Sequence, residues 1–206
     1  MSGILGILVG SSYFTPVTNT YTTGTSATET IPVLASSVVI EVFGAGGAGG
    51  AYSTLDFGIT YYGGGGGGSG GYSKKTASVV GSGGLTMTYS VGTGGATTGS
   101  SGNAGTGSNV VSGTFSLTTI STNGGAGGTQ VFGSGGLGGA AGAAGTGGDT
   151  NSAGNVGTDG SISANGVGGA GKTGTSGNGL AGGDGAFYPS PAQVAGGTGK
   201  IIFSYT

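Results

Sequence analysis

The chain lacks most of the side chains on which catalytic and metal sites depend. None of its 206 residues is Cys, His, Arg or Trp, and charged residues make up 5% of the total, with a net charge of −2. Without Cys and His there are no disulfides, no thiolate metal sites and no histidine acid–base chemistry. With so few charged residues, the chain has no basic patch that would bind nucleic acid or an anionic membrane. The composition therefore predicts a non-enzymatic protein with no metal, no cofactor and no nucleic-acid partner.

The few acidic residues form no catalytic pattern. They are scattered, with no paired spacing and no histidine partner, so we expect solvated strand or turn positions. They are Glu29, Glu41, Asp56, Asp149, Asp159 and Asp184.

Two glycine motifs match nucleotide-binding patterns but lack the required context. Residues 166–173 (GVGGAGKT) fit a phosphate-binding loop, and residues 44–49 (GAGGAG) fit a dinucleotide fingerprint. Both chemistries need a helix after the motif, and neither stretch is followed by a helical pattern. Nucleotide binding is not predicted.

Glycine is abundant, and over residues 133–169 it is phased. There are 58 glycines, and the frame 133, 136, 139 and onward to 169 holds eleven of them in thirteen positions. A period of three is typical of a polyproline-II type of helix, which has no internal hydrogen bonds. The bare backbone edge would pair with a neighbouring segment.

Proline is too scarce for collagen. The four prolines, at positions 16, 32, 189 and 191, all lie outside the repeat. A bundle of glycine helices made by one chain folding back on itself fits better, with reversals at residues 149–152 and 161–165. We expect residues 133–148 to form one extended helix about 50 Å long. Tracts with glycine in all three frames, such as 63–68, would lie inside the bundle.

Ordinary β-strands supply an apolar layer. Alternating apolar residues predict strands at 37–43, 72–80, 85–91 and 200–205, with weaker candidates at 109–120 and 129–132. No stretch has helical periodicity. The predicted fold is therefore all-β plus a polyglycine-II helix bundle, with a β-sandwich-like strand layer and no α-helix. We assign residues 28–206 to this domain and residues 1–27 to an extended arm or docking segment.

The start of the chain is apolar but carries no cation. It is a poor secretory signal and too short to span a membrane, so no membrane insertion is predicted. It fits either a first strand or a buried plug, or a segment that docks on a partner or a trimer axis. The docking candidates are Ile4, Leu5, Ile7, Leu8 and Val9.

Two aromatic loops lie between glycine tracts, at residues 51–62 and 186–193. Aromatic side chains on loops held by a stiff scaffold suit recognition, although they would equally suit a small core that caps the bundle, or an oligomer contact. The receptor-binding candidates are Tyr52, Asp56, Phe57, Tyr61, Tyr62, Phe187 and Tyr188.

The order of these segments resembles a known family. A strand running into GAGGAGG at 44–50, the segment GGYSKKT at 70–76, and the final GGTGKIIFSYT resemble the glycine-rich domain of bacteriophage tail-fibre and virion proteins, and polyglycine-helix adhesins. The resemblance covers roughly residues 28–206. It implies a virion structural protein, located on the virion surface, with host recognition by loops between glycine tracts.

The expected role is therefore a phage fibre, capsid spike or adhesin. Expected partners are other virion proteins, a host cell-surface receptor and further copies of the chain, with a trimer favoured. The alternatives are a self-assembling extracellular filament or a capsid decoration protein, and then an ice-binding protein.

Overall fold

The computed structural model describes residues 13–55, 60–162, 164–176, 178–188 and 192–206. No α-helix occurs within these ranges, as predicted. The strands are β1 (Val17–Tyr21), β2 (Ala27–Thr30), β3 (Ser37–Phe43), β4 (Ser53–Leu55), β5 (Thr60–Tyr62), β6 (Tyr72–Ser78), β7 (Thr86–Ser90), β8 (Asn109–Ser112), β9 (Ile120–Ser121), β10 (Thr150–Ser152) and β11 (Lys200–Tyr205).

These strands form two larger antiparallel sheets and a small one. One sheet has the order β1-β11-β3-β6-β10, the second has the order β2-β7-β8-β9, and β4 pairs with β5. The core lies between the two larger sheets in a sandwich-like arrangement. It is built from alternate residues of the central strands, among them Ile40, Phe203, Met87 and Val110, all of which are fully buried. The alternation predicted for β3, β7 and β11 is confirmed.

Two of the weaker strand predictions need correction. Within residues 109–120, β8 ends at Ser112 and the next strand, β9, begins only at Ile120. Residues 129–132 form no strand, because Thr129 exchanges backbone hydrogen bonds with glycine-rich neighbours. The segment predicted as an extended arm contains β1, which pairs with β11 at the edge of the larger sheet.

Between the strands, the described part of the chain contains ten glycine-rich segments that are neither helix nor strand, and we call them the glycine segments. They comprise residues 44–51, 63–71, 92–96, 100–106, 123–129, 136–142, 154–161, 164–170, 179–186 and 194–199. Their hydrogen bonds join different segments and advance in steps of three residues. For example, the amides of Gly44, Gly47 and Gly50 donate to the carbonyls of residues 71, 68 and 65.

Two of the glycine segments lie at the centre, and the other eight surround them. Residues 44–51 donate to three neighbours and accept from three others, and residues 63–71 do the same. The two central segments pair with each other and share two of the surrounding segments. Each outer segment also bonds to the next one along the chain, and residues 194–199 bond back to residues 92–96, which closes the ring. This is hexagonal packing around two centres.

Burial follows the glycine phase. In the outer segment at 136–142, Gly136, Gly139 and Gly142 are buried, whereas Leu137 and Ala140 are exposed. Residues 44–50 and 63–71 of the central segments are buried throughout. The prediction that a tract with glycine in all frames lies inside agrees with this arrangement.

The segment at 133–148 is shorter than predicted. Gly133 and Gly147 both have positive φ values, of 79° and 77°, and the chain turns at each of them. The reversal predicted at 149–152 contains strand β10, after which residues 154–160 return antiparallel to 136–142. The reversal at 161–165 agrees with the structure, since Ser161 N donates to Ala164 O.

The molecule has two unlike poles. Both larger sheets lie at one end of the glycine segments, and we call the far end of these sheets the sheet pole. We call the opposite end of the molecule the loop pole. There the chain leaves the bundle at Ala51 and returns at Gly63, and the ends of six other glycine segments lie at the same level. The two aromatic loops predicted from the sequence therefore share one pole.

Candidate functional site

Three tyrosines from the two aromatic loops meet at the loop pole, and we call them the tyrosine cluster. The rings of Tyr61 and Tyr188 are stacked, with centroids 4.1 Å apart and planes 8° apart. The ring of Tyr52 is tilted against both, with its centroid 6.2 Å from that of Tyr61 and 5.9 Å from that of Tyr188. The cluster stays accessible, because Tyr52 is 38% exposed and Tyr188 is 44% exposed. Loops more than 120 residues apart in the sequence thus build one aromatic surface.

The bundle positions both loops. Ala186, just before Tyr188, donates its amide to Gly50 O (2.8 Å) and accepts from Gly64 N (2.9 Å). Gly50 and Gly64 flank the first loop, so both loops are anchored to the same two central segments. Within the first loop, β4 and β5 pair Thr54 with Tyr61. The tyrosines therefore project from fixed backbone.

Polar side chains tie these loops to their neighbours. Ser53 Oγ donates to Val131 O (2.6 Å), and Gln130 Nε2 donates to Tyr52 O (2.6 Å). In the second loop, Gln193 Nε2 donates to the carbonyls of Gly49 and Ser100, both at 2.8 Å. These bonds cross-link the loop pole without any charged group.

A third loop, at residues 130–135, contributes apolar surface that the sequence analysis did not identify. Phe132 is 75% exposed, and Leu55 from β4 lies against Gly133 of this loop. The stretch contains only one aromatic residue and was interpreted as a weak strand. Its turn depends on the positive φ of Gly133, and a glycine in a glycine-rich tract does not reveal such a turn.

The other predicted site residues have mixed outcomes. Tyr62 and Phe187 are only partly exposed, and the rings that meet are those of Tyr52, Tyr61 and Tyr188. Asp56 and Phe57 lie outside the described residues, as do the docking candidates Ile4, Leu5, Ile7, Leu8 and Val9. Their roles stay predictions.

Within the tyrosine cluster, the surroundings disfavour ionisation of Tyr61. Partial desolvation and the neighbouring Tyr188 hydroxyl raise the pKa of Tyr61 above its ordinary value, so the ring is uncharged at neutral pH. No group of acidic residues within the described ranges could hold a metal ion. The arrangement suits stacking and hydrogen bonding to a ligand surface.

Glu41 is buried, which contradicts the expectation of a solvated carboxylate. It lies on the outer face of the larger sheet and accepts from Tyr72 OH (2.7 Å) and from the amides of Thr175 (2.5 Å) and Ser176 (2.6 Å). Burial opposes its ionisation, but the hydrogen bonds from Tyr72, Ser176 and Thr175 outweigh that effect and lower its pKa. The carboxylate thereby fastens residues 175–176 over the sheet.

Glu29 is a second buried carboxylate and a second correction. It accepts from Asn19 Nδ2 (2.9 Å), Tyr21 OH (2.6 Å) and Tyr205 OH (3.0 Å). Burial and the hydrogen bonds to Glu29 raise the pKa values of Tyr21 and Tyr205. Tyr21 also stacks on Tyr89 at 4.4 Å, so this network binds β1 to the sandwich.

Comparison with known proteins assigns a family. In the part of the chain that the structure describes, no helix is long and apolar enough to cross a membrane. Comparison with curated proteins gave no significant match. Residues 20–206 match the family described as "Glycine-rich domain", which covers the sandwich apart from the first residues of β1, all ten glycine segments and the tyrosine cluster. The chain therefore belongs to the glycine-rich domain family.

Proposed function

We propose that the glycine segments are polyglycine-II helices that act as a rigid scaffold for the loop pole. The support is the three-residue step of their hydrogen bonds and the six neighbours of each central segment. A helix with three residues per turn presents equivalent positions to the same neighbour every third residue, which is the observed spacing. Such a scaffold limits loop motion, because all amides of residues 44–51 and 63–69 donate to neighbouring segments.

On this scaffold, we propose, the protein serves as a structural component of a virion, as a phage fibre, spike or adhesin that recognises a host cell-surface receptor. The observation that carries the proposal is the tyrosine cluster. Two loops distant in sequence converge on one exposed aromatic surface at the pole away from the two larger sheets. Aromatic side chains fixed in advance on a stiff support bind with little loss of conformational entropy.

The burial of the central glycines also indicates where sequence change is tolerated. The glycine positions of the central segments leave no room for a Cβ, whereas the described loop residues are held by the β4–β5 pairing and by a few polar contacts. Loops of this kind carry binding specificity in many rigid folds. Binding would therefore depend on loop side chains and hardly at all on the glycines.

Binding of the purified, fluorescently labelled chain to a panel of intact bacterial cells tests this function. We expect saturable binding to a subset of strains, and a reduction of about tenfold or more for Tyr61→Ala or Tyr188→Ala, since each removes a central aromatic contact. Tyr13→Ala is the matched control, because Tyr13 is 88% exposed but precedes β1 at the sheet pole.

Thermal melting and the binding curves together separate the possible outcomes. Thermal melting of each variant should show that the bundle is intact. Equal binding by Tyr188→Ala and the unmodified chain would exclude the tyrosine cluster as the contact surface. Absence of binding to every strain tested would count against the adhesin role itself.

A further inference from the structure

Three tight turns of the same type lie side by side at the sheet pole. They span residues 32–35, 79–82 and 82–85, and in each the fourth amide donates to the first carbonyl, at 3.3, 2.9 and 3.0 Å. The third residue of each turn has a positive φ: 72° for Leu34, 74° for Gly81 and 84° for Gly84. This is the pattern of a type II turn, which favours glycine at the third position.

Leu34 is the exception among these turns. Glycine adopts a positive φ without steric cost, whereas a bulky residue there is strained. The chain places glycine at the two neighbouring turns and has 58 glycines in all, yet it has leucine here. The side chain does not compensate by burial within the molecule, since Leu34 is 54% exposed. Strain of this kind points to a role outside the folded monomer.

Leu34 belongs to a larger apolar surface, which we call the Leu34 patch: Val33, Leu34, Val80 and Leu85. Val33 is 70% exposed and Val80 is 72% exposed. The turns that carry these residues are joined by backbone hydrogen bonds from Ile31 N to Leu85 O (2.8 Å) and from Gly84 N to Ile31 O (2.9 Å). Clustered exposed apolar side chains on a soluble domain mark an interaction surface.

We propose that the Leu34 patch is the contact surface for a second copy of this chain. Residues 31–36 and 79–85 contain no charged side chain, and the net charge of the chain is only −2, so electrostatic repulsion between copies is weak. In a two-fold interface the same surface of each copy meets itself, so this surface must be self-complementary. An uncharged apolar patch with a polar rim at Ser36 meets this requirement. Pairing through the sheet pole leaves both tyrosine clusters accessible. This proposal does not depend on the receptor-binding function.

Sedimentation equilibrium of the full chain, combined with thermal melting, tests the proposal. We expect concentration-dependent dimers, and Leu34→Asn should weaken dimerisation about tenfold or more, because it removes a central apolar contact. The same substitution should raise the melting temperature of the monomer, since Asn tolerates a positive φ better than Leu. Leu137→Asn, at an exposed leucine on the glycine bundle, is the control and should change neither quantity.

The test is specific because Leu34→Asn should weaken dimerisation and, at the same time, raise the melting temperature of the monomer. A chain that stays monomeric at millimolar concentration, or a Leu34→Asn variant that dimerises like the unmodified chain, would overturn the proposal. A lower melting temperature for Leu34→Asn would also overturn it, because Leu34 would then serve its own fold. Deletion of residues 1–12 should leave dimerisation unchanged. Stronger dimerisation after that deletion would overturn the proposal for the full chain, because the chain's own N-terminal segment would then be the occupant of the patch.

Discussion

At the scale of single residues, the central positions require glycine because a side chain would collide with the backbone of a neighbouring segment. A Cβ added at Gly67 would lie 2.1 Å from Gly47 O, and one added at Gly65 would lie 1.9 Å from Leu137 O. The neighbouring backbone cannot move away without breaking its own hydrogen bonds. The requirement is steric, and a positive φ plays no part in it at these positions.

The substitution Gly67→Ala should therefore destabilise the protein by about 3 kcal/mol or more, as overpacking at a rigid site. The matched control is Ala140→Ser, at an exposed position of an outer segment, where a change within about 0.5 kcal/mol is expected. Urea denaturation measures both. Equal stabilities for the two variants would show that the central segments are not close-packed.

Glu41 should make stability depend on pH in the acid range. Its pKa is lowered in the folded protein, so its contribution is complete above the unfolded value of about 4.3 and is lost as the pH falls through the folded value. Glu41→Gln should be less stable than the unmodified chain at pH 7, and the difference should shrink below about pH 4. Urea titrations at several pH values measure this, and a difference that stays constant with pH would contradict it.

The buried carboxylates show a limit of prediction from sequence at this scale. Glu41 meets Thr175 and Ser176, which lie 134 and 135 residues further along the chain. Glu29 meets the hydroxyls of Tyr21 and Tyr205. Nothing local distinguishes these glutamates from solvated ones, because their partners come together only when the sheets form.

At the scale of elements, the strands with clear alternation were predictable and the short ones were not. β3, β7 and β11 have apolar residues at every second position, and each supplies these alternate residues to the core. β9 has two residues and β10 has three, too few to carry a period. They form because Ile120 and Asn151 lie opposite β8 and β6 in the folded chain.

The period-three glycine pattern predicted which residues of the segment face inward, but it did not predict where the segment turns. The frame at 136, 139 and 142 faces inward as predicted, because only glycine lets the backbone of a neighbour approach. The ends of the segment were misplaced, since Gly133 lies in the same frame but adopts a positive φ, and so does Gly147, which lies one residue before the in-frame Gly148. A glycine in phase and a glycine in a turn look alike in the sequence.

At the scale of the whole molecule, the unlike poles were not predictable from the sequence. The two aromatic loops were identified separately, and their contact depends on the closed ring of outer segments. The loop at 130–135 was missed because it carries one aromatic residue between glycine tracts. The resulting division places the tyrosine cluster at one pole and the Leu34 patch at the other.

Amide hydrogen exchange followed by NMR tests the central claim, that two buried glycine segments are enclosed by a ring of eight. We expect the slowest exchange among glycine amides at positions such as Gly47 and Gly67, which donate within the centre of the bundle. In the outer segment at 154–161, the amides of Gly157 and Gly160 should exchange slowly, and that of the exposed Val156 should exchange fast. Fast exchange throughout residues 44–50 and 63–71, or unbroken protection along the outer segment, would contradict the account.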